Sequence, residues 1–185
     1  MNIQGKFPNT RLRRNRMKEF SRRLVAENNL SADDLILPLF VCEGNNVEDP
    51  IQSMPGVSRY SIDKLLHKVE EAVKLSIPAI AIFPQIETSL KNAEGSLAFD
   101  ENNLVCRSIK SIKKEFSNVG IICDVALDPF TDHGHDGLVI NDKIDNDKTL
   151  DILEKQALVQ VDAGCDVIAP SDMMDGRVGR IRTVL

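Results

Sequence analysis

Four short apolar segments, separated by helical patterns, constrain the fold of this chain most strongly. Each segment is a continuous run of apolar residues rather than an alternation of apolar and polar ones. Continuous runs of this length are typical of strands that are buried on both faces of a parallel sheet. The four predicted strands are residues 35–41 (LILPLFV), 79–83 (AIAIF), 119–127 (VGIICDVAL) and 166–171 (DVIAPS).

Helical periodicity fills the three intervals between these runs. Apolar residues recur three and four positions apart in each interval, which predicts amphipathic helices. Ser61 or Asp63 can cap the first helix, and Gly164 is a natural stop for the third. The predicted helices are residues 61–76, 103–116 and 146–164, and a fourth is predicted to start at Asp172 or Asp175.

The alternation of strands and helices predicts an α/β fold with a parallel sheet and right-handed crossovers. Two architectures fit this order, an open doubly wound sheet and a (β/α)8 TIM barrel. Successive predicted strands start about 40 to 47 residues apart, so eight units would need roughly 300 residues or more. A chain of 185 residues would then hold about the first four β/α units of a barrel and end within or near the fourth helix.

The segment after the first predicted strand bears on the choice between these architectures. It reads FVCEGNNVEDP and lacks the glycine-rich, phosphate-binding fingerprint of nucleotide-binding open sheets. The main support for an open sheet is thereby removed. We predict the TIM-barrel family, with residues 32–185 as the first half of the barrel.

A basic segment precedes this predicted half-barrel. Residues 1–23 contain eight Lys or Arg and one acidic residue, whereas the rest of the chain has 15 basic and 27 acidic residues. A basic N-terminal arm, residues 1–31, could bind nucleic acid or an anionic membrane, dock on the acidic body of a neighbouring copy, or remain solvated. Phe7 and Phe20 are its only aromatic residues, which weakens the nucleic-acid interpretation.

Hydropathy and cysteine content indicate the cellular setting. No apolar run approaches the roughly 20 residues of a membrane span, and the N-terminus lacks the apolar core of a signal peptide. We therefore expect a soluble, cytoplasmic protein. The four cysteines lie in or beside apolar segments without a CxxC pair, so we predict buried, reduced thiols rather than a structural zinc site; they are Cys42, Cys106, Cys123 and Cys165.

Polar residues at the carboxyl ends of the predicted strands are the candidates for chemistry, because reactive groups gather there in parallel α/β folds. Asp124 lies inside an apolar run, where a carboxylate needs either a partner or a function; the alternative is a salt-bridged core aspartate. Ser171 follows the last strand, where a helix N-cap is the alternative role. The strand-end residues are Glu43, Pro84, Asp124, Asp128, Ser171 and Asp172.

The stretch DVALDPFTDHGHDG, residues 124–137, places an aspartate at every fourth position. Pro129 and Gly134 exclude a helix here, so the stretch is a loop. Its carboxylates could hold a hard cation such as Mg²⁺. The roles of Asp132, His133 and His135 stay open between solvation and ligation.

Four segments of the chain form a distinctive set: RLRRN (11–15), SMPGVSRYSID (53–63), DVALDPFTDHGHDG (124–137) and APSDMMDGRV (169–178). Together they resemble porphobilinogen synthase, the 5-aminolevulinate dehydratase family. The resemblance covers residues 11–185. It implies a lyase that condenses two 5-aminolevulinate molecules to porphobilinogen in tetrapyrrole and haem biosynthesis. It also implies a (β/α)8 barrel whose N-terminal arm wraps a neighbouring subunit within a homo-octamer, with neither nucleic acid nor membrane as partner.

The resemblance also implies roles for individual residues. Asp124 and Ser171 match the residues that contact the amino group of a substrate. Zinc-dependent members carry three cysteines at the positions of Ala126, Asp128 and Asp136, so this chain is similar to the aspartate-rich class. Mg²⁺ or a monovalent cation near Asp128 and Asp136 is then expected, with no zinc and no organic cofactor.

The family forms Schiff bases through two lysines in the second half of the barrel, and no lysine here lies in a matching motif. We expect this chain to be inactive by itself and poorly stable, because a half-barrel leaves sheet edges open. A non-catalytic binding or interaction protein from a truncated barrel is the alternative, and a half-barrel that pairs with another chain is a third. The lysines assigned to polar helix faces or loops are Lys74, Lys91, Lys110, Lys113, Lys114, Lys143, Lys148 and Lys155.

Overall fold

A computed structural model describes residues 5–185. The chain divides into two compact units, Met1–Ser31 and Ala32–Leu185. The described part of the first unit contains a 3-10 helix, Leu12–Arg16, and helix α1, Glu19–Leu24, neither of which has a buried residue. Local contacts join these two helices, since the Ser21 hydroxyl donates to the carbonyl of Asn15 at 3.1 Å. The function of residues 1–31 as an intersubunit arm stays a prediction.

The second unit alternates strands and helices. All four predicted strands and the three predicted helices between them are confirmed, with boundaries that shift by at most three residues. The elements are β1 Ile36–Val41, β2 Glu48–Pro50, β3 Ser58–Tyr60, α2 Ile62–Lys74, β4 Ala79–Pro84, α3 Leu104–Glu115, β5 Gly120–Asp124, β6 Leu138–Ile140, β7 Lys143–Asp145, α4 Asn146–Asp162, β8 Val167–Ala169 and α5 Arg177–Val184.

The four principal strands lie side by side in chain order, as β1-β4-β5-β8, and every adjacent pair is parallel. A doubly wound sheet reverses its strand order at a switch point, and this succession shows no such reversal. With right-handed crossovers, an unreversed order places the connecting helices on one face of the sheet. The predicted mixed α/β fold with a parallel sheet is thus confirmed.

Burial along the strands is one-sided. Leu39, Ile80 and Ile121 belong to the core against the helices and are at most 5% exposed. On the opposite face Ile36 and Val167 remain 55% and 50% exposed. The prediction that these strands are buried on both faces is therefore wrong for this chain, because all the connecting helices cover the same face.

Short elements escaped the sequence prediction. Strands β2 and β3 have three residues each and extend the sheet beyond β1. Strands β6 and β7 form a separate antiparallel hairpin whose turn residues, Asn141 and Asp142, have positive φ angles of 51° and 61°. Asn and Asp tolerate this left-handed conformation, which two-residue hairpin turns require. Three-residue strands carry too little periodicity to be recognised.

The last helix starts later than predicted. Neither Asp172 nor Asp175 begins it, because α5 starts at Arg177, after Gly176 in the left-handed region at φ 82°. The backbone N–H of Asp175 is bound instead by the Asn146 side chain at 2.8 Å, and Asp172 is buried. Residues 172–176 therefore form a loop between β8 and α5.

All four cysteines are free and buried, which confirms the prediction of reduced core thiols. Burial raises the pKa of the Cys106 thiol to about 11, so this side chain behaves as a small apolar group at neutral pH. Within residues 5–185, no helix is long and apolar enough to cross a membrane.

Asp166 ties α3, β5 and β8 together where β5 and β8 begin. Its Oδ2 accepts from Ile121 N at 2.7 Å and from Lys113 Nζ at 2.6 Å. Partial burial raises the pKa of this carboxyl, but these two donors outweigh burial and hold its pKa below the ordinary value. The ionised form therefore stabilises the fold above the ordinary pKa, and this stabilisation is lost as pH falls through the folded-state value.

Asp166→Asn is expected to lower the free energy of unfolding by about 1 kcal/mol at pH 7, after allowance for solvent screening of a partly exposed group. The difference from the unsubstituted chain should shrink as pH falls through the folded-state pKa of Asp166, because the carboxyl then becomes neutral like the amide. Urea unfolding followed by circular dichroism measures both values. Asp162→Asn, at the exposed end of α4, is the matched control, and equal losses in both variants would contradict the assignment.

Candidate active site

Asp124 is the last residue of β5 and lies in register with Ala169, the last residue of β8. Because side chains alternate along a strand, Cys123 faces the helices and Asp124 points to the open face of the sheet. The carboxylate is half-buried, and none of the ion pairs formed within residues 5–185 includes it. The alternative role considered from the sequence, in which Asp124 is a salt-bridged aspartate of the core, is therefore wrong.

Ser171 supplies the partner of Asp124. Its hydroxyl donates to Asp124 Oδ1 at 2.5 Å across the ends of the two neighbouring strands. Burial raises the pKa of Asp124, whereas the hydroxyl and the backbone N–H of Ser171 oppose this rise, and Asp136 adds to it. Ser171 is not a helix N-cap, because α5 begins six residues later.

Two buried glutamines hold the backbone on either side of this pair. Gln160 Nε2 donates to the carbonyl of Asp124 at 2.9 Å, and Gln156 Nε2 donates to the carbonyl of Ala126 at 3.1 Å. Both side chains are 1% exposed. Sequence reasoning missed them, although two glutamines four residues apart on the apolar face of α4 were a usable signal.

The acidic loop brings two further carboxylates into the electrostatic field of Asp124. Burial raises the pKa of Asp128, and Asp136 and Asp124 raise it further. Mutual repulsion of this kind means that the three carboxylates share one negative region. Such a region favours a bound cation or ammonium group.

The two histidines of the loop, His133 and His135, contact each other. The backbone N–H of His135 donates to His133 Nδ1 at 3.2 Å, and the two rings lie 6.2 Å apart. Within residues 5–185, no group of three or more His, Cys, Asp or Glu side chains is arranged to hold a metal ion.

The remaining strand-end residues have structural positions. Glu43 forms an ion pair with Arg107 of α3. Pro84 lines a cavity of about 220 Å³ together with Phe40, Asp124 and Asp128. This cavity lies between apolar strand-end side chains and the carboxylates.

A carboxylate that accepts from a hydroxyl, beside two further carboxylates, suits recognition of a positively charged amine. The carboxylate supplies charge and the hydroxyl supplies orientation. Ser171 has a carboxylate rather than an imidazole as its contact, so this pair is not the serine–histidine arrangement of nucleophilic catalysis.

Comparison with known proteins identifies the family. The family model for delta-aminolevulinic acid dehydratase matches residues 9–185. The chain belongs to the delta-aminolevulinic acid dehydratase family.

Individual relatives agree with this assignment. The delta-aminolevulinic acid dehydratase of Bradyrhizobium diazoefficiens is 58% identical over 172 residues, which cover 93% of this chain and 49% of the relative. The dehydratase of Chlamydia pneumoniae is 45% identical over 175 residues, covering 95% of this chain and 53% of that protein. The chain thus spans about half the length of these curated relatives.

A solved structure matches the fold closely. The crystal structure of delta-aminolevulinic acid dehydratase from Toxoplasma gondii ME49, in complex with the reaction product porphobilinogen, superposes with a TM-score of 0.92 and 43% identity. The match covers 95% of this chain and 50% of that chain. The resemblance inferred from four sequence motifs is confirmed.

Several lysines of this family member lie in ion pairs away from the cavity. Lys74 pairs with Glu70, and Lys113 pairs with Asp166. Lys91 differs, because its charge lowers the pKa of Asp128 and it lies in a loop at the carboxyl ends of β1 and β4. The sequence analysis assigned Lys91 to a polar helix face or loop, whereas the fold brings its ammonium group close to the acidic loop.

Ser171→Ala is expected to raise the pKa of Asp124, because the hydroxyl favours the ionised carboxylate. Carboxyl ¹³C NMR titration of the chain, with and without the substitution, measures this change. Ser117→Ala, in an exposed loop at the other end of the sheet, should leave the Asp124 titration unchanged. An Asp124 pKa that is the same in both variants would show that the hydroxyl contact does not persist in solution.

Proposed function

We propose that this chain forms the first half of a porphobilinogen synthase, which condenses two molecules of 5-aminolevulinate to porphobilinogen in tetrapyrrole biosynthesis. Family membership supports the activity, and the unreversed strand order with helices on one face supports the (β/α)8 barrel. The four β/α units of the half-barrel are β1–α2, β4–α3, β5–α4 and β8–α5.

The contact between Ser171 and Asp124 is the observation that carries this proposal. It joins a hydroxyl and a carboxylate at the carboxyl ends of adjacent strands, 47 positions apart in sequence, and this is where barrel enzymes place their chemistry. In the proposed reaction Asp124 attracts the ammonium group of a bound 5-aminolevulinate, and Ser171 orients it.

Asp128 and Asp136 are proposed to stabilise substrate ammonium, directly or through water or a cation. Their oxygen donors fit a hard ion such as Mg²⁺, or a monovalent cation, whereas Ala126 provides no thiolate for zinc. Two carboxylates offer too few ligands for a closed protein cage, so water or substrate would complete the coordination. No organic cofactor is part of the proposal.

The covalent step needs Schiff-base lysines, and we propose that they belong to the part of the barrel that this chain does not match. The chain by itself is then inactive. Residues 1–31 are proposed to act as an arm between subunits of a cytoplasmic homo-octamer, where their positive charge suits an acidic neighbouring surface.

Co-expression with the second half of the Bradyrhizobium diazoefficiens relative tests the proposal. The pair is expected to form a stable complex that releases porphobilinogen, because the second half covers the open face and supplies the lysines. Neither part alone should turn over. Asp124→Asn in the complex is expected to reduce kcat/KM by about 100-fold, since it removes the charge that holds the amine.

Borohydride trapping with 5-aminolevulinate, followed by intact-protein mass spectrometry, locates the Schiff base in that complex. An adduct on the second half agrees with the proposal. An adduct on this chain would identify one of its own lysines as reactive, with Lys91 the first to examine. A stable complex without product or adduct would favour the alternative of a non-catalytic interaction protein.

A further inference from the structure

Asp172 is a fully buried carboxylate that the sequence analysis treated as a helix start. It is 0% exposed, although its neighbours Ser171 and Met173 both face solvent. Burial of a carboxylate is costly unless its surroundings compensate for the lost hydration. The contacts of this side chain therefore indicate what the fold uses it for.

The contacts of Asp172 join the ends of β5 and β8. Its Oδ2 accepts from Leu127 N at 3.1 Å, and its own backbone N–H donates to the carbonyl of Val125 at 3.4 Å. Val125 N in turn donates to the carbonyl of Ala169 at 3.2 Å. A side chain thus continues the strand pairing at the point where the backbone of β8 turns away.

The same carboxylate faces both ends of the acidic loop. Burial raises the pKa of Asp172 to about 6, Asp136 and Asp128 raise it as well, and the backbone N–H groups of Leu127 and Gly137 oppose the rise. Only the Leu127 contact has hydrogen-bond geometry, and Oδ1 has no partner within the described residues 5–185. Leu127 directly precedes Asp128, and Gly137 directly follows Asp136.

The neighbouring contact runs in the opposite direction across the same gap. Ser171 on the β8 side donates to Asp124 on the β5 side. Leu127 on the β5 side donates to Asp172 on the β8 side. Two adjacent residues after β8 therefore form hydrogen bonds with the end of β5 and the segment after it, one as a donor and the other as an acceptor.

We propose that Asp172 is a positioning residue: through the Leu127 N–H it holds residues 127–137, and with them Asp128 and Asp136, at a fixed separation from the Asp124–Ser171 pair. This inference rests on the proposed function, because the site that Asp172 would keep in shape is the proposed amine site. Asp172 itself would not contact the substrate.

Replacement by leucine and by asparagine separates positioning from folding. Leucine keeps the buried volume but removes both charge and acceptor. It relieves the cost of burying a carboxylate and leaves the buried Leu127 N–H without its acceptor, which costs about 1–3 kcal/mol. Asparagine keeps an oxygen that can accept from Leu127 N. In the two-part complex, Asp172→Leu is expected to lower kcat/KM by about 10- to 100-fold, mainly through KM, at temperatures well below the melting transition of the variant. Asp172→Asn should stay within about 3-fold of the unsubstituted complex, and Asp175→Asn, at an exposed position of the same loop, should match it.

A double-mutant cycle identifies the groups through which Asp172 acts. In an Asp128→Asn, Asp136→Asn background, Asp172→Leu should lower kcat/KM by less than about a further 3-fold. The reason is that the loop carboxylates that Asp172 positions have already been replaced by neutral amides. If Asp172→Leu lowered kcat/KM by the same factor in both backgrounds, the proposal would be overturned. A loss of kcat/KM in Asp172→Asn as large as that in Asp172→Leu would also overturn it, as would a loss that disappears at temperatures where Asp172→Leu is fully folded.

A readout on the chain itself distinguishes failure of this inference from failure of the proposed function. The carboxyl ¹³C signals of Asp128 and Asp136 should shift more in Asp172→Leu than in Asp172→Asn, which removes the same charge and keeps an acceptor for Leu127 N, whether or not the complex turns over. A larger shift in Asp172→Leu without turnover would retain the positioning role and reject the enzyme. Equal shifts in the two variants would reject the positioning role.

Discussion

The parallel pairing of β5 with β8 is the interaction on which the site depends. It brings Asp124 level with Ala169 and sets the register in which Ser171 meets Asp124. The pairing is short, because β8 has three residues. Side chains extend it at both ends: Asp166 binds Ile121 N where the strands begin, and Asp172 binds Leu127 N beyond their carboxyl ends.

This dependence explains why polar side chains are buried around the end of β5. A strand that leaves the sheet exposes backbone groups, and buried backbone groups need partners. Gln160 and Gln156 satisfy the carbonyls of Asp124 and Ala126 from the helix side. The backbone before the acidic loop is therefore held from the α4 side and from the β8 side, and a held backbone limits how far Asp128 can move from Asp124.

The open face of the sheet and the acidic loop both contribute carboxylates to the candidate site. The helices cover one face, so the side chains of the other face, Asp124 among them, point into space that this chain does not fill. A cavity at the carboxyl ends of the strands is lined by Phe40 and Pro84 as well as by carboxylates. Apolar walls around carboxylates lower the local dielectric, which strengthens their attraction for a cationic group.

Much of the fold could be predicted because apolar periodicity is a local property. The four runs and three helical patterns correspond to β1, β4, β5, β8, α2, α3 and α4 within a few residues. The three-residue strands and the hairpin could not be predicted, because their stability comes from pairing rather than from a repeated pattern. The start of α5 was misjudged for a related reason, since an aspartate before a helix resembles a cap whether or not its side chain is engaged elsewhere.

The sequence by itself determined the order of the elements, the family resemblance, and the selection of Asp124, Ser171, Asp128 and Asp136 as candidates. Only the tertiary structure decided that Ser171 binds Asp124, that Gln156 and Gln160 hold the strand end, and that Asp172 is buried against Leu127. The physical reason is distance along the chain. A hydrophobic pattern depends only on residues that are close together in the sequence. A hydrogen bond between residues 47 positions apart depends on the register of two strands that come together only in the folded sheet.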